Sequence, residues 1–218
     1  MDVSTFTPSS ALLTVILLAL APFVIVMVTS FAKIVVVLSL LRNALGVQQI
    51  PPNVVLNGLA MILTIYVMYP VGQDMLEASG GIDGGVLEDT ERLIGAANLA
   101  KEPLREFLVE HADAPEREFF LETIREIASE ERRDDFTVDD FVVVVPAFTV
   151  SELTAAFQLG FLIFLPFLVI DLVISNILMA MGMMMLSPTI VSLPFKLLLF
   201  VLIEGWTKLA HGLVLSYL

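Results

Sequence analysis

The sequence predicts an all-α membrane protein with about four broken hydrophobic helices and a small acidic helical insert. Hydrophobic residues make up 57% of the 218 positions and the mean hydropathy is +0.90, which is too apolar for an ordinary soluble domain. The charges are also concentrated in one place. Residues 74–140 hold 20 acidic and 7 basic residues, whereas the rest of the chain holds four of each. We therefore divide the chain into hydrophobic helices over 1–73, an acidic helical insert over 74–140 and hydrophobic helices over 141–218.

The first apolar segment contains two uncharged stretches. Residues 3–32 exceed the roughly 20 positions that a helix needs to cross a bilayer, and Pro22 inside them predicts a bend. Residues 43–73 follow, with a helical core predicted over roughly 54–69 and a helix end at Pro70. No basic residue precedes the first apolar stretch, so we interpret it as a retained segment and not as a cleaved signal.

The insert has apolar residues at helical spacing, with charged residues between them. Pro103 interrupts this pattern and predicts two helices there, and Pro115 precedes a further helical stretch. The acidic surface argues against nucleic acid as a partner, since phosphates attract Lys and Arg. The chain has no cysteine, which excludes a disulfide framework and thiolate chemistry.

The second apolar segment is interrupted by charge and by helix-weakening residues. Residues 153–170 are uncharged and would form about 27 Å of helix. Asp171 then interrupts the pattern, and residues 172–195 are broken by Gly182, Pro188 and Pro194.

Polar side chains in such apolar segments need partners, which predicts an oligomer or a larger complex. Glu152 and Lys196 bracket the methionine-rich half of this segment. They can form an ion pair, within the chain or between subunits, or each can mark a helix end and reach water along its stem. Asp171 and Asn176 are candidates for polar contacts between helices.

Three consecutive methionines, Met183, Met184 and Met185, lie between Gly182 and Pro188. Methionine is a common gap-filler, which is the ordinary interpretation of a single residue. Successive helix residues point about 100° apart, so three in a row cannot share one helix face. On a loop they can share a target, and in a ring of subunits they would form a deformable hydrophobic gasket.

Enzyme classes have little support in the sequence. His111 and His211 are the two histidines, and no metal-ligand spacing, nucleophile elbow or phosphate loop is present. We therefore expect no enzymatic activity, no cofactor and no metal. A small-solute secondary transporter is an alternative function, because broken apolar helices with charges fit that class, but no internal repeat supports it.

Three segments resemble the SctR/FliP (YscR-like) family, whose members are core proteins of the export gate in bacterial type III secretion. They are "FAKIVVVLSLLRNALGVQQIPPNVVLNGLAMILT", "PAFTVSELTAAFQLGFLIFLPFLVIDLVISNILMAMGMMMLSP" and "SLPFKLLLFVLIEGW". The resemblance covers roughly residues 20–210, although the insert carries little of it. "GVQQIPPN" and the lack of a cleavable signal favour the injectisome branch over the flagellar one.

The resemblance implies a pentamer that joins SctS-like and SctT-like subunits in a helical, cone-shaped channel for unfolded substrate proteins. SctU-like and SctV-like export components and membrane lipid are further implied partners. The implied location is the bacterial inner membrane, multi-pass, with helical hairpins and a complex that protrudes into the periplasm. Met183, Met184 and Met185 match the family's methionine gasket, and Glu152 and Lys196 match its charged contacts between neighbouring subunits. Asp171 and Asn176 would be contacts between helices or part of a proton-sensitive path.

Overall fold

The computed structural model describes residues 8–47, 50–80, 90–183 and 185–218, and all the regular secondary structure in these ranges is helical. The elements are α1 (Pro8–Met27), α2 (Phe31–Leu45), α3 (Asn53–Ala78), α4 (Thr90–His111), α5 (Ala114–Ile127), a 3-10 helix (Glu130–Asp135), α6 (Phe141–Ala180), α7 (Pro188–Leu202) and α8 (Gly205–Leu215). The prediction of an all-α fold is confirmed.

Helices α2 and α6 form the centre of the fold and run parallel. Lys33 near the start of α2 contacts Glu152 of α6, and Leu40 further along contacts Gly160. Because both residue numbers rise together, the two helices point the same way. A Cβ atom at Gly160 would overlap the Leu40 side chain, so this close approach depends on glycine.

Helices α7 and α8 return along α6 in the opposite direction. Lys196 of α7 contacts Asp171, and Tyr217 after α8 contacts Glu152, so residue numbers fall on α6 as they rise on the returning helices. The two returning helices meet at an angle of 60°. Glu204, at this bend, has the left-handed backbone conformation with φ 54°. The C-terminal half is thus a hairpin with a bent second arm.

The insert packs on the first third of α6. Phe107 and Leu108 of α4 share a buried cluster with Phe148 of α6. The backbone N–H of Asp113, just before α5, donates to the Ser151 Oγ atom at 2.9 Å. The insert's described helices are therefore anchored to the hydrophobic half that follows them. The boundaries at 73/74 and 140/141 stay predictions.

Four expected helix breaks are wrong, and one of them is at Pro194, since α7 runs from Pro188 to Leu202 through it. Helix α3 continues through Pro70 to Ala78, and α4 continues through Pro103 as a single helix. Asp171 does not interrupt α6, which runs unbroken for 40 residues. A proline removes one backbone hydrogen bond, whereas ending a helix leaves about four unpaired groups on each side. Continuing the helix is therefore the less costly choice at each proline.

Among the described residues, α3 and α6 are long and apolar enough to cross a membrane. Helices α7 and α8 meet the same test only as a bent pair. These two or three candidate spans, together with the apolar composition, identify an all-α membrane protein.

Candidate functional site

Two buried polar clusters lie at different levels of α6. The first, named the Glu152 cluster, consists of Glu152, Lys33 and Tyr217. The second, named the Asp171 cluster, consists of Asp171, Lys196 and Ser192. Glu152 and Asp171 are 19 positions apart on one helix, which places the clusters about 28 Å apart along its axis. Beyond the Asp171 cluster, α6 ends at the methionine turn.

In the Glu152 cluster a carboxylate is enclosed by a cation and a phenol. Glu152 is 3% exposed, and its Oε1 atom lies 3.3 Å from the Lys33 Nζ atom. The Tyr217 hydroxyl donates a hydrogen bond to the other carboxylate oxygen. The Lys33 ammonium also lies 4.1 Å from the centroid of the Tyr217 ring, a cation–π contact. The cluster therefore joins α2, α6 and the segment that follows α8.

The Tyr217 phenol stays protonated in this environment. Burial raises the pKa of Tyr217 above its usual range, and the neighbouring Glu152 carboxylate raises it further. The phenol can therefore act as a constant hydrogen-bond donor. The ring centroid also lies 6.2 Å from that of Phe107 and 5.2 Å from that of His111, both on α4. The C-terminal segment thus contacts the insert as well.

In the Asp171 cluster a buried cation joins three helices. Lys196 is 3% exposed, and its Nζ atom lies 2.6 Å from the Asp171 Oδ2 atom and 3.2 Å from the Ala44 carbonyl oxygen. The Ser192 hydroxyl donates to Asp171 Oδ1 at 2.6 Å. Because Ala44 lies in the last turn of α2, the ammonium also caps the carboxyl end of that helix.

These contacts decide between some of the interpretations that the sequence left open for Glu152 and Lys196. Within one chain, Glu152 pairs with Lys33 and Lys196 pairs with Asp171, so a direct pair between Glu152 and Lys196 in the same chain is wrong. Both residues are buried inside the chain, and neither reaches solvent along its stem at a helix end. Contacts of Glu152 and Lys196 with a neighbouring subunit stay a prediction.

Lys33 and Tyr217 are functional candidates that the sequence interpretation missed. The sequence did contain a signal for Lys33, because acidic and basic residues are equal in number outside the insert. An acidic side chain buried in the second apolar half could therefore pair with a basic side chain of the first half. Tyr217 gave no such signal. Asn176, a predicted helix–helix contact, is exposed on α6, and its role stays a prediction.

The methionine turn connects α6 to α7 between Ala180 and Pro188. Gly182 adopts the left-handed conformation with φ 72°, and the Met183 N–H bonds to the Leu178 carbonyl at 2.9 Å. Met183 is 41% exposed and Met185 is fully exposed, whereas Met184 lies outside the described residues. The two described methionines therefore do not fill this chain's own core.

Comparison with known proteins decides the family. Residues 12–213 match the FliP family. The chain belongs to the FliP family. It is 56% identical over 204 residues to Yop proteins translocation protein R of Yersinia pestis, covering 92% of each chain. It is 46% identical over 212 residues to hypersensitivity response secretion protein HrcR of Ralstonia nicotianae, covering 96% of this chain and 97% of the relative. It is 45% identical over 203 residues to virulence protein YscR of Salmonella typhimurium, covering 92% and 93%.

The family resemblance predicted from the three sequence segments is confirmed. This FliP-family chain is a subunit of the export apparatus of type III secretion, a component of a protein-secretion machine and not of a known enzyme family. Its apolar helices indicate a membrane location. The small-solute transporter alternative receives no support from these relatives, whose names describe secretion, translocation and virulence.

Proposed function

We propose that several copies of this chain surround the pore of the injectisome export gate, and that unfolded secreted proteins pass along their methionine turns. The observation that carries the proposal is the position of this turn. It lies at the end of the α6–α7 hairpin, with Met183 and Met185 exposed and outside the chain's own core. Flexible thioether side chains of this kind can close around one axis and deform around a passing chain.

The exposed apolar surface of the chain supports assembly with other subunits. Large side chains on α3, α6 and α7 are more than 60% exposed, which is far more apolar surface than a soluble monomer leaves uncovered. They include Val54, Tyr66, Phe161, Val201 and Leu202. Lipid and neighbouring helices are the two environments that can cover such surfaces.

The proposed assembly is the one that the family resemblance implies. Five copies join SctS-like and SctT-like subunits, and SctU-like and SctV-like components act with them. The complex lies in the bacterial inner membrane and protrudes into the periplasm. Relatives named for virulence and for the hypersensitivity response favour the injectisome over the flagellar alternative.

The buried clusters set a condition on the proposed contacts between subunits. Asp171 is 37% exposed at its side chain, so a neighbour can reach the Asp171 cluster without rearrangement. Glu152 is enclosed by Lys33 and Tyr217, so a neighbour can contact its carboxylate only if Tyr217 moves away. If Glu152 contacts the neighbour directly, assembly therefore requires the segment that follows α8 to move.

The test is the ion conductance of the assembled complex in a planar bilayer. We expect the wild-type complex to stay closed and a variant with Met183, Met184 and Met185 all changed to Ala to leak ions. Each change removes a flexible thioether and leaves a gap in the constriction. Secretion measured in cells with the same variant separates loss of the seal from loss of assembly.

A matched control changes three methionines away from the turn, Met27, Met61 and Met75, to Ala. This control variant loses the same number of thioethers and should remain closed. Equal, low conductance of the two variants in intact complexes would contradict the gasket. The methionine turn would then only pack between subunits.

A further inference from the structure

An apolar cavity of about 320 Å³ lies where α2, α6, α7 and α8 meet. Its walls include Val37, Leu159, Phe167, Phe200 and Leu209, together with the open side of Gly212. Among the described residues that line it, Lys208 alone carries a charge. A dry apolar cavity of about 150 Å³ already holds benzene, and small-molecule sites begin near 300 Å³. This cavity is therefore large enough for an elongated ligand.

The cavity lies at the 60° bend between α7 and α8, and the sequence fixes that bend. Glu204 adopts a left-handed backbone conformation, which a side chain other than glycine accepts only at a cost in free energy. At the next position, a Cβ atom on Gly205 would overlap the Phe200 ring. Because the local sequence holds the two helices at this angle, the cavity is a built feature of the fold.

The chemistry of the lining identifies the class of ligand. Water cannot make its hydrogen bonds against an apolar wall, and an empty void loses the dispersion contacts that a filled one makes. A flexible hydrocarbon chain satisfies both requirements. The long stem of Lys208 can follow the apolar wall while its ammonium stays at the rim. Helix α8 begins at Gly205 beside the same wall and has no side-chain cap, so its first N–H groups also favour an anion there.

We propose that this cavity binds one acyl chain of a phospholipid and that Lys208 binds the phosphate. The exposed Glu204 lies four positions before Lys208 in the chain and carries the negative charge nearest to it in the sequence. A head group that carries an ammonium complements that carboxylate. We therefore assign the site to phosphatidylethanolamine in preference to phosphatidylglycerol.

A substitution that fills the cavity with a larger side chain tests the proposal with little disturbance of the helices. An added Cβ at Gly212 meets no atom within 4 Å, so Gly212→Leu fills the space without a clash. Gly58→Leu is the matched control. Gly58 also lies inside a helix with open space at its Cβ position, but it does not line the cavity. Both changes exchange glycine for the same good helix former.

The full chain is purified in detergent with added phosphatidylethanolamine, and bound lipid is counted by native mass spectrometry. We expect wild type and Gly58→Leu to retain the same number of lipids, and Gly212→Leu to retain one fewer per chain. Lys208→Gln should weaken retention about fivefold, the effect of one cation near a phosphate surface. Circular dichroism checks that all variants keep their helices.

Three outcomes would overturn the proposal or one of its parts. Equal lipid counts for wild type and Gly212→Leu would exclude the cavity as a lipid site. If wild type retains no lipid but Gly212→Leu prevents co-assembly with partner subunits, the occupant is a neighbour's side chain. Unchanged retention by Lys208→Gln, or stronger binding of phosphatidylglycerol, would refute the assigned head-group contact.

Discussion

Asp171 and Lys196 are buried to different degrees, and this predicts an unequal response to the loss of either charge. Asp171→Asn keeps the size of the side chain and one acceptor oxygen, but it leaves the Lys196 ammonium, 4% exposed at its side chain, without an anion. Removing one partner of a buried ion pair costs about 3–5 kcal/mol. We expect the lower end, about 3 kcal/mol, because the Ala44 carbonyl still accepts a hydrogen bond from Lys196.

The opposite change, Lys196→Met, should be milder. Methionine keeps most of the apolar stem, and Asp171 retains the Ser192 hydroxyl as a donor. The Asp171 side chain is also 37% exposed, so its carboxylate can find solvent or lipid head groups. The loss of a partly exposed pair and of one hydrogen bond, offset by better apolar burial, gives about 1 kcal/mol of destabilisation.

The double variant isolates the interaction between the two side chains. In the Lys196→Met background no buried ammonium remains, so Asp171→Asn should then cost close to nothing. The expected coupling energy between the two positions is about 3 kcal/mol. Thermal unfolding of the full chain in detergent, followed by circular dichroism, measures all three variants. For a chain of this size about 1 kcal/mol corresponds to roughly 2–4 °C in Tm, so Asp171→Asn should lower Tm by about 6–12 °C.

Two results would refute this reasoning. If Lys196→Met lowers Tm more than Asp171→Asn does, burial of the ammonium is not the dominant effect. If Asp171→Asn has the same effect in both backgrounds, the two side chains do not interact. Secretion measured for Asp171→Asn, with assembly verified, addresses the separate idea of a proton-sensitive path. Normal secretion would exclude a proton role for this carboxylate.

Two further predictions concern the contacts along α6. Gly160→Val should destabilise the chain by about 1–3 kcal/mol through overlap with Leu40, and Leu40→Ala in the same chain should recover part of that loss. A double variant that is only additive in Tm would show that the close approach does not exist. Tyr217→Phe should cost about 1.5 kcal/mol, since Glu152 loses a donor while the ring stays beside Lys33. The same thermal melt measures it, and an unchanged Tm would mean that the hydroxyl contributes nothing.

The helical class could be predicted from the sequence because it follows from local pattern. Uncharged stretches and spacings of three and four residues report on helices directly. The actual helix ends could not be predicted in the same way. Pro70 and Pro103 are strong local signals for a helix end, yet the helices continue through both. The cost of unpaired backbone groups on both sides of a break outweighs the local preference.

The partners of Glu152 and Lys196 depend on tertiary register, which no local pattern carries. Glu152 pairs with Lys33, 119 positions away, on the same packed pair of helices in which Leu40 of α2 lies against Gly160 of α6. Asp171 was expected to interrupt the pattern of the second apolar segment. It lies mid-helix because Lys196 and Ser192 reach it from α7. The position of the methionine turn, by contrast, was predictable from its glycine and proline.

The parallel pairing of α2 with α6 has a consequence for biosynthesis. The chain leaves the ribosome from its N-terminus, so Lys33 emerges long before Glu152, its partner 119 residues later. At a translation rate of about 5–20 residues per second, Glu152 is synthesised roughly 6–24 s after Lys33. During that interval α2 carries a cation without its partner at the edge of an apolar stretch, where an unpaired charge is unfavourable in lipid. We therefore expect α2 to complete its packing against α6 only after the second half has been translated.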